Sequence, residues 1–196
     1  MLRLLIPVLL LVAAPALAAP EWRYAIDRQD SSLDARVRFF GLASKTAHFP
    51  AVSGRLGMTP GQPETMRLLV TVDATQLEAG DRLTLNRLKG PAFFDVESHP
   101  QVQFSGRGLR FVDALTAEVD GVLTVRGVSR PQTLVAQFET DPLAGDGRAP
   151  VPLAGEIVID RRDYGMTAWQ GIVGNRVTIS IRGVLRPEVP MVQAAR

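Results

Sequence analysis

The chain has 196 residues, with 22 lysines and arginines against 20 aspartates and glutamates, two histidines and no cysteine. Lack of cysteine excludes disulfides, thiolate nucleophiles and thiolate metal sites, so stability has to come from a packed core. The sequence pI of 9.5 reflects sparse titration near neutrality, and the arginines are scattered singly among acids, without the clustered stripe of a nucleic-acid binder.

Met1-Leu2-Arg3, the apolar run from Leu4 to Ala14 and the small-residue segment Pro15-Ala16-Leu17-Ala18 have the three-part layout of a secretory leader. The run is far short of the roughly 20 residues that cross a hydrocarbon core. Residues 1–18 are therefore expected to be removed, leaving one domain over residues 19–187 and a flexible tail over 188–196.

A first strand is predicted at Trp22 to Asp27. Residues 32–40 then set Leu33, Ala35, Val37 and Phe39 against Asp34, Arg36 and Arg38. A period of two lines one face of a strand and cannot line one face of a helix. The rhythm returns in Met66, Leu68, Val70 and Val72, in Val102 and Phe104, and in Ala117, Val119, Gly121, Leu123 and Val125. It returns again in Leu134, Ala136 and Phe138, in Ile157 and Ile159, and in Val177, Ile179 and Ile181.

About eight strands result, punctuated by turn residues that include Gly41, Gly54, Gly57, Pro60-Gly61, Gly127 and Pro131. One polar face per strand implies an antiparallel sheet, and a sheet of that size must curl into a barrel or split into a sandwich. Between the third and fourth of these strands, a short helix is expected within residues 79–89, then a turn at Gly90-Pro91 and a helical turn presenting Phe93 and Phe94. Asp141 to Pro152, rich in proline and glycine, reads as a mobile surface loop.

Candidates for chemistry are few. His48 and His99 have no metal-ligand partner at helical or hairpin spacing and read as turn histidines. Ser105 lies outside any nucleophile elbow. Asp95 with Glu97, and Asp160 with Asp163, sit beside turn residues or arginines and read as solvated or paired acids. Gly106-x-Gly108 lacks the rest of a dinucleotide fingerprint and reads as a hairpin turn. No metal and no cofactor are expected.

Four stretches taken together resemble the YceI-like periplasmic proteins: FFGLASKTAHFPAVSGRL, LTLNRLKGPAFFDVESHPQVQFSG, GVLTVRGVSRPQTL, and IDRRDYGMTAW with GNRVTISIRG. The resemblance runs from about Tyr24 to Leu185. His99 stands where that family often has tyrosine, and Tyr164 where it often has phenylalanine. The resemblance implies an all-β fold, an eight-stranded antiparallel lipocalin-like β-barrel, located in the periplasm and holding a polyisoprenoid or isoprenoid-quinone lipid in an apolar cavity. It implies no catalytic residues.

Joined to the alternation, it makes Val37, Phe39, Leu68, Val70, Val102, Phe104, Leu123, Val125, Phe138, Ile157, Ile159, Val177, Ile179 and Ile181 the expected ligand-binding wall, with Phe93 and Phe94 plugging one mouth. Arg36, Arg38, Thr124, Arg126 and Ser180 are expected to face water. Small inward residues at Ala35, Ala117, Gly121 and Ala136 are expected to leave the slot open. The expected partner is the lipid, not nucleic acid, and both a homodimer and transient contact with a membrane surface fit this reading. Two alternatives remain at this point: a hydrolase or isomerase with His99 or Asp95 as base, and a filled barrel serving as an interaction module.

Overall fold

The computed structural model describes residues 21–188; the expected leader and nearly all of the expected tail lie outside them. Eleven strands form one sheet: β1 (Trp22–Ile26), β2 (Ser32–Phe39), β3 (Ala43–Phe49), β4 (Val52–Thr59), β5 (Gln62–Asp73), β6 (Glu78–Ala79), β7 (Gln101–Phe111), β8 (Thr116–Val125), β9 (Val128–Phe138), β10 (Val151–Asp160) and β11 (Val173–Pro187). Every pairing is antiparallel, and Tyr24 opposite Pro187 with Ile26 opposite Leu185 closes the sheet on itself.

The eleven strands make eight passes of a barrel. β1 and β2 pair with successive stretches of β11, around Leu185–Pro187 and Val173–Arg182, so Asp27–Ser31 is a jog within a single pass. β3 follows β2, and β4 follows β1, so Pro50-Ala51 is the matching jog in the next pass. The count of eight agrees with the alternation, but the passes differ: two of the predicted strands are one pass, and Ala43–Thr59 was not predicted as strand.

Its sequence hides it. Gly54 and Gly57, expected at turns, lie inside β4, where a Cβ at Gly54 would sit 2.4 Å from the Leu69 carbonyl oxygen. Glycine is needed there for close approach of backbone, not for a turn. Gly106 and Gly108, expected at a hairpin turn, likewise lie inside β7. The register of β7 on β8 shifts between Arg107 and Arg110, and Gly108 has φ +69°. This bulge adds a residue, so Phe104 and Gly106 on one side of it and Leu109 on the other are all buried.

The one α-helix among the described residues, α1 (Arg82–Lys89), is shorter than the expected 79–89 because Glu78-Ala79 instead pairs with Ala47-His48 of β3. Asp81 caps it, accepting from the Thr84 amide at 2.8 Å and the Thr84 hydroxyl at 2.7 Å. The turn after it holds Phe93 and Phe94 through Phe93 N–H to Gly90 O and Phe94 N–H to Leu88 O. The Asp141–Pro152 segment contributes Val151-Pro152 to β10, and its Gly147 lies against the Trp22 ring while Leu143 packs on the core.

Candidate functional site

Where β3 parts from β5, its free side meets only β6. The barrel wall is completed there by α1 and the Phe93-Phe94 turn, and behind them lies a cavity of about 390 Å³. Fourteen of the sixteen expected wall residues line it, including Phe93, Phe94 and Phe104. The other two, Leu68 and Phe138, line a second cavity of about 100 Å³ toward the opposite end of the barrel. Leu33, Val70, Leu134 and Ile181 border both spaces.

Of the small residues expected to leave room, Ala35 lines the larger cavity and Ala136 the smaller. Gly121 does not open the slot: a Cβ there would meet the Phe104 ring at 2.6 Å and the Ser105 carbonyl at 2.5 Å. Its missing side chain admits Phe104. Ala117 is fully buried in the core cluster and lines neither space. Phe94 packs edge-on against Phe49, ring centroids 5.4 Å apart, and so forms wall as well as mouth.

Polar groups on the wall are few. Lys45, Thr46, Asp81, Thr84 and Arg87 belong to the β2–β3 hairpin, α1 and its cap. The sixth is Arg161, which the sequence reading missed. It is 2% exposed, and its guanidinium donates to the carbonyls of Gly174 at 2.9 Å, Val173 at 3.1 Å and Met166. Burial lowers its pKa from the ordinary arginine value, with neighbouring Asp160 pulling the other way; arginine nonetheless stays protonated. In the sequence Arg161 is indistinguishable from its neighbour Arg162, which is exposed and paired with Asp160.

Neither histidine reaches the cavity. His48, in β3 and not in a turn, bonds Asp34 through Nδ1 at 2.8 Å, and His99 stands 4.0 Å from Asp95. None of these four residues lines the wall. Asp160 caps the turn Arg161–Tyr164 and is paired with Arg162, which holds its carboxyl below the usual range. Tyr164 is buried within that turn, accepts a hydrogen bond from Gln132 at 3.3 Å, and has its phenol pushed up by burial. Arg126, expected to face water, is half-buried and donates to the carbonyls of Gly165 and Pro91, both at 2.9 Å. It ties the β8–β9 turn to the two flanking turns.

The model of the YceI-like domain matches residues 24–185. The chain belongs to the YceI-like family. Curated relatives of this YceI-like chain include a UPF0312 protein of Ectopseudomonas mendocina, 22% identical over 183 residues, covering 89% of this chain and 92% of the relative. A UPF0312 protein of Pseudomonas putida is 27% identical over 143 residues, 72% of this chain and 70% of its own.

Among solved structures, BcnA of Burkholderia cenocepacia superposes with a TM-score of 0.71 at 21% identity, over 81% of this chain and 98% of its own. A polyisoprenoid binding domain from Saccharophagus degradans, implicated in plant cell wall breakdown, superposes with 0.66 at 13% identity, over 84% and 98%. At these identities the likeness is one of fold, the closed eight-stranded YceI-like barrel with one short helix.

Proposed function

We propose that this YceI-like barrel is an exported, periplasmic carrier that sequesters a polyisoprenoid or isoprenoid-quinone lipid, and that it acts by binding and not by catalysis. The observation that carries this reading is the larger cavity. Its volume of about 390 Å³ falls in the range of roughly 300–1,000 Å³ typical of ligand pockets, and its wall is apolar except at the mouth and at Arg161. A filled interaction barrel would lack that space. A hydrolase or isomerase using His99 or Asp95 would need them on the wall, and they are elsewhere.

A thin, branched hydrocarbon suits such a slot. Each five-carbon unit contributes about 4 kcal/mol gross at ~0.8 kcal/mol per buried CH₂, before ordering costs are subtracted. Few polar partners are then needed to hold it. The leader-like start and, among the described residues, the lack of any helix long and apolar enough to cross a membrane are in keeping with an exported carrier. The binding-domain neighbour from Saccharophagus degradans supports the ligand class.

The test is lipid extraction and mass spectrometry of the protein purified from its native host, with Ala35→Phe as the cavity-filling comparison. A co-purifying prenyl lipid that Ala35→Phe loses while keeping its thermal midpoint is the expected result. No prenyl lipid, and no uptake of added prenyl quinone, refutes the reading.

A further inference from the structure

Three segments meet around the open end of the larger cavity: the hairpin joining β2 to β3, helix α1, and the loop leading into β11. They are stitched together by Lys45 to Asp81 at 3.6 Å, by the Arg87 guanidinium 4.6 Å over the Trp169 ring, and by the Phe40 amide donating to the Ile172 carbonyl at 2.8 Å. Each segment holds a large apolar side chain in water. Leu42 is 99% exposed, Phe40 63%, Leu83 60% and Trp169 43%.

Two of these sit on unusual backbone. Phe40 has φ +50° and Trp169 φ +59°, two of only four non-glycine residues with positive φ among the described residues. Bulky residues rarely occupy that region. Such strain at an exposed aromatic points to a use for the ring in that position.

The charge around the mouth is equally uneven. Residues 36–46, 81–89 and 166–176 carry seven basic side chains and one acid, Asp81, whereas the rest of the chain has fifteen basic against nineteen acidic. Arg36, Arg38, Arg82 and Arg176 make no ion pair among the described residues. Turns at the opposite end, residues 60–65, 112–116 and 139–150, carry five acids and only Arg148. The three segments that form the mouth are thus net positive, and the turns at the opposite end net negative.

We propose that the open end docks on the surface of an anionic phospholipid bilayer, with Phe40, Leu42, Leu83 and Trp169 entering the headgroup boundary and the surrounding arginines meeting lipid phosphates. Apolar and aromatic side chains ringed by cations are what an interfacial site requires. Cations near an anionic leaflet strengthen it within a Debye length. The apolar patch is continuous with the cavity, since Leu83, Arg87 and Trp169 line both. A hydrocarbon passing between bilayer and barrel through this end would avoid exposure to water. The purpose of docking rests on the carrier reading; the docking itself does not.

Cosedimentation of the full chain with vesicles of phosphatidylcholine alone, or mixed with phosphatidylglycerol, tests it. The wild type is expected to sediment with the mixed vesicles and to be released by salt. Phe40→Asn with Leu42→Ser, which removes buried apolar area, and separately Arg38→Gln with Arg82→Gln, which removes two cations at about fivefold each, should each lower the partition coefficient about tenfold or more. None of these four side chains lines the cavity, so uptake of a fluorescent prenyl probe in solution should be unchanged in both variants. Equal sedimentation of wild type and variants overturns the proposal, as does wild-type protein that ignores both vesicles or that only self-associates through this face. Wild type that docks but takes up no prenyl probe overturns the carrier reading and leaves docking standing.

Discussion

Arg161 shows how much one side chain decides near the mouth. It is buried without a carboxylate hydrogen-bonded to it and is satisfied by three carbonyls, of Met166 at one end of a loop and of Val173 and Gly174 where that loop enters β11. That loop carries Trp169. Replacing Arg161 with methionine keeps the length and leaves three carbonyls without their donor, each costing on the order of 1 kcal/mol or more. The urea midpoint of Arg161→Met is expected to fall by an amount equivalent to about 3 kcal/mol, and Trp169 fluorescence to shift red. An unchanged midpoint would mean that water or another donor replaces the guanidinium. At this scale the sequence was least legible: Arg161 and Arg126 resemble the exposed arginines around them, and only the folded turns show which carbonyls they reach.

At the scale of the element, α1 depends on its cap. It presents no fully buried residue, so packing holds it weakly and the Asp81 carboxylate matters. Hydrogen bonds from the Thr84 amide and hydroxyl, with Lys45 nearby, lower the Asp81 pKa below its ordinary value. A carboxyl whose folded pKa is depressed contributes stability that is fully present above the unfolded pKa of about 3.9, and loses it as pH falls through the folded value. Amide protection in α1 is therefore expected to be flat from neutrality down to about pH 5 and to weaken below about pH 4. Asp81→Asn, an equally good cap, should remove that pH dependence, as read by hydrogen exchange of residues 84–89. Protection that falls equally in both proteins would assign the effect to other acids.

Legibility of the elements followed their periodicity. β2, β5, β8 and β9 alternate cleanly and were read correctly. β3 and β4 were missed because Ala43–Thr46 is exposed throughout and Gly54 and Gly57 interrupt the alternation. Of the two glycines that conceal β4, Gly54 is there because the β5 backbone comes within contact of it, whereas Gly57 faces the Glu21 side chain. Helix α1 was legible where the strand alternation breaks, but its start was not, since whether Glu78-Ala79 extends the helix or pairs with β3 depends on where β3 lies.

For the whole molecule, closure of the sheet matters most. Closure puts residues distant in sequence, such as Leu33, Val70, Leu134 and Ile181, at one level between the two cavities. Leu134 is 6% exposed, and its truncation to alanine should merge the two spaces at a cost of about 2–5 kcal/mol. Mass spectrometry of prenyl lipids loaded from a mixed-length pool should show Leu134→Ala shifted to longer chains than the wild type. The same length distribution in both would show that the smaller space is not reached by the ligand.

By itself, the sequence determined an all-β antiparallel domain, the inward face of most of its strands and the YceI-like family. These follow from local alternation and short motifs, which each strand carries independently of its partners. Tertiary structure alone decided which strands are one pass, which glycines serve close approach, and that the wall encloses two spaces and not a filled core. It also decided that Phe40, Leu42, Leu83 and Trp169 share one end of the barrel with the basic side chains. Those features depend on the distance between residues far apart in the chain, and periodicity along a strand carries no information about that distance.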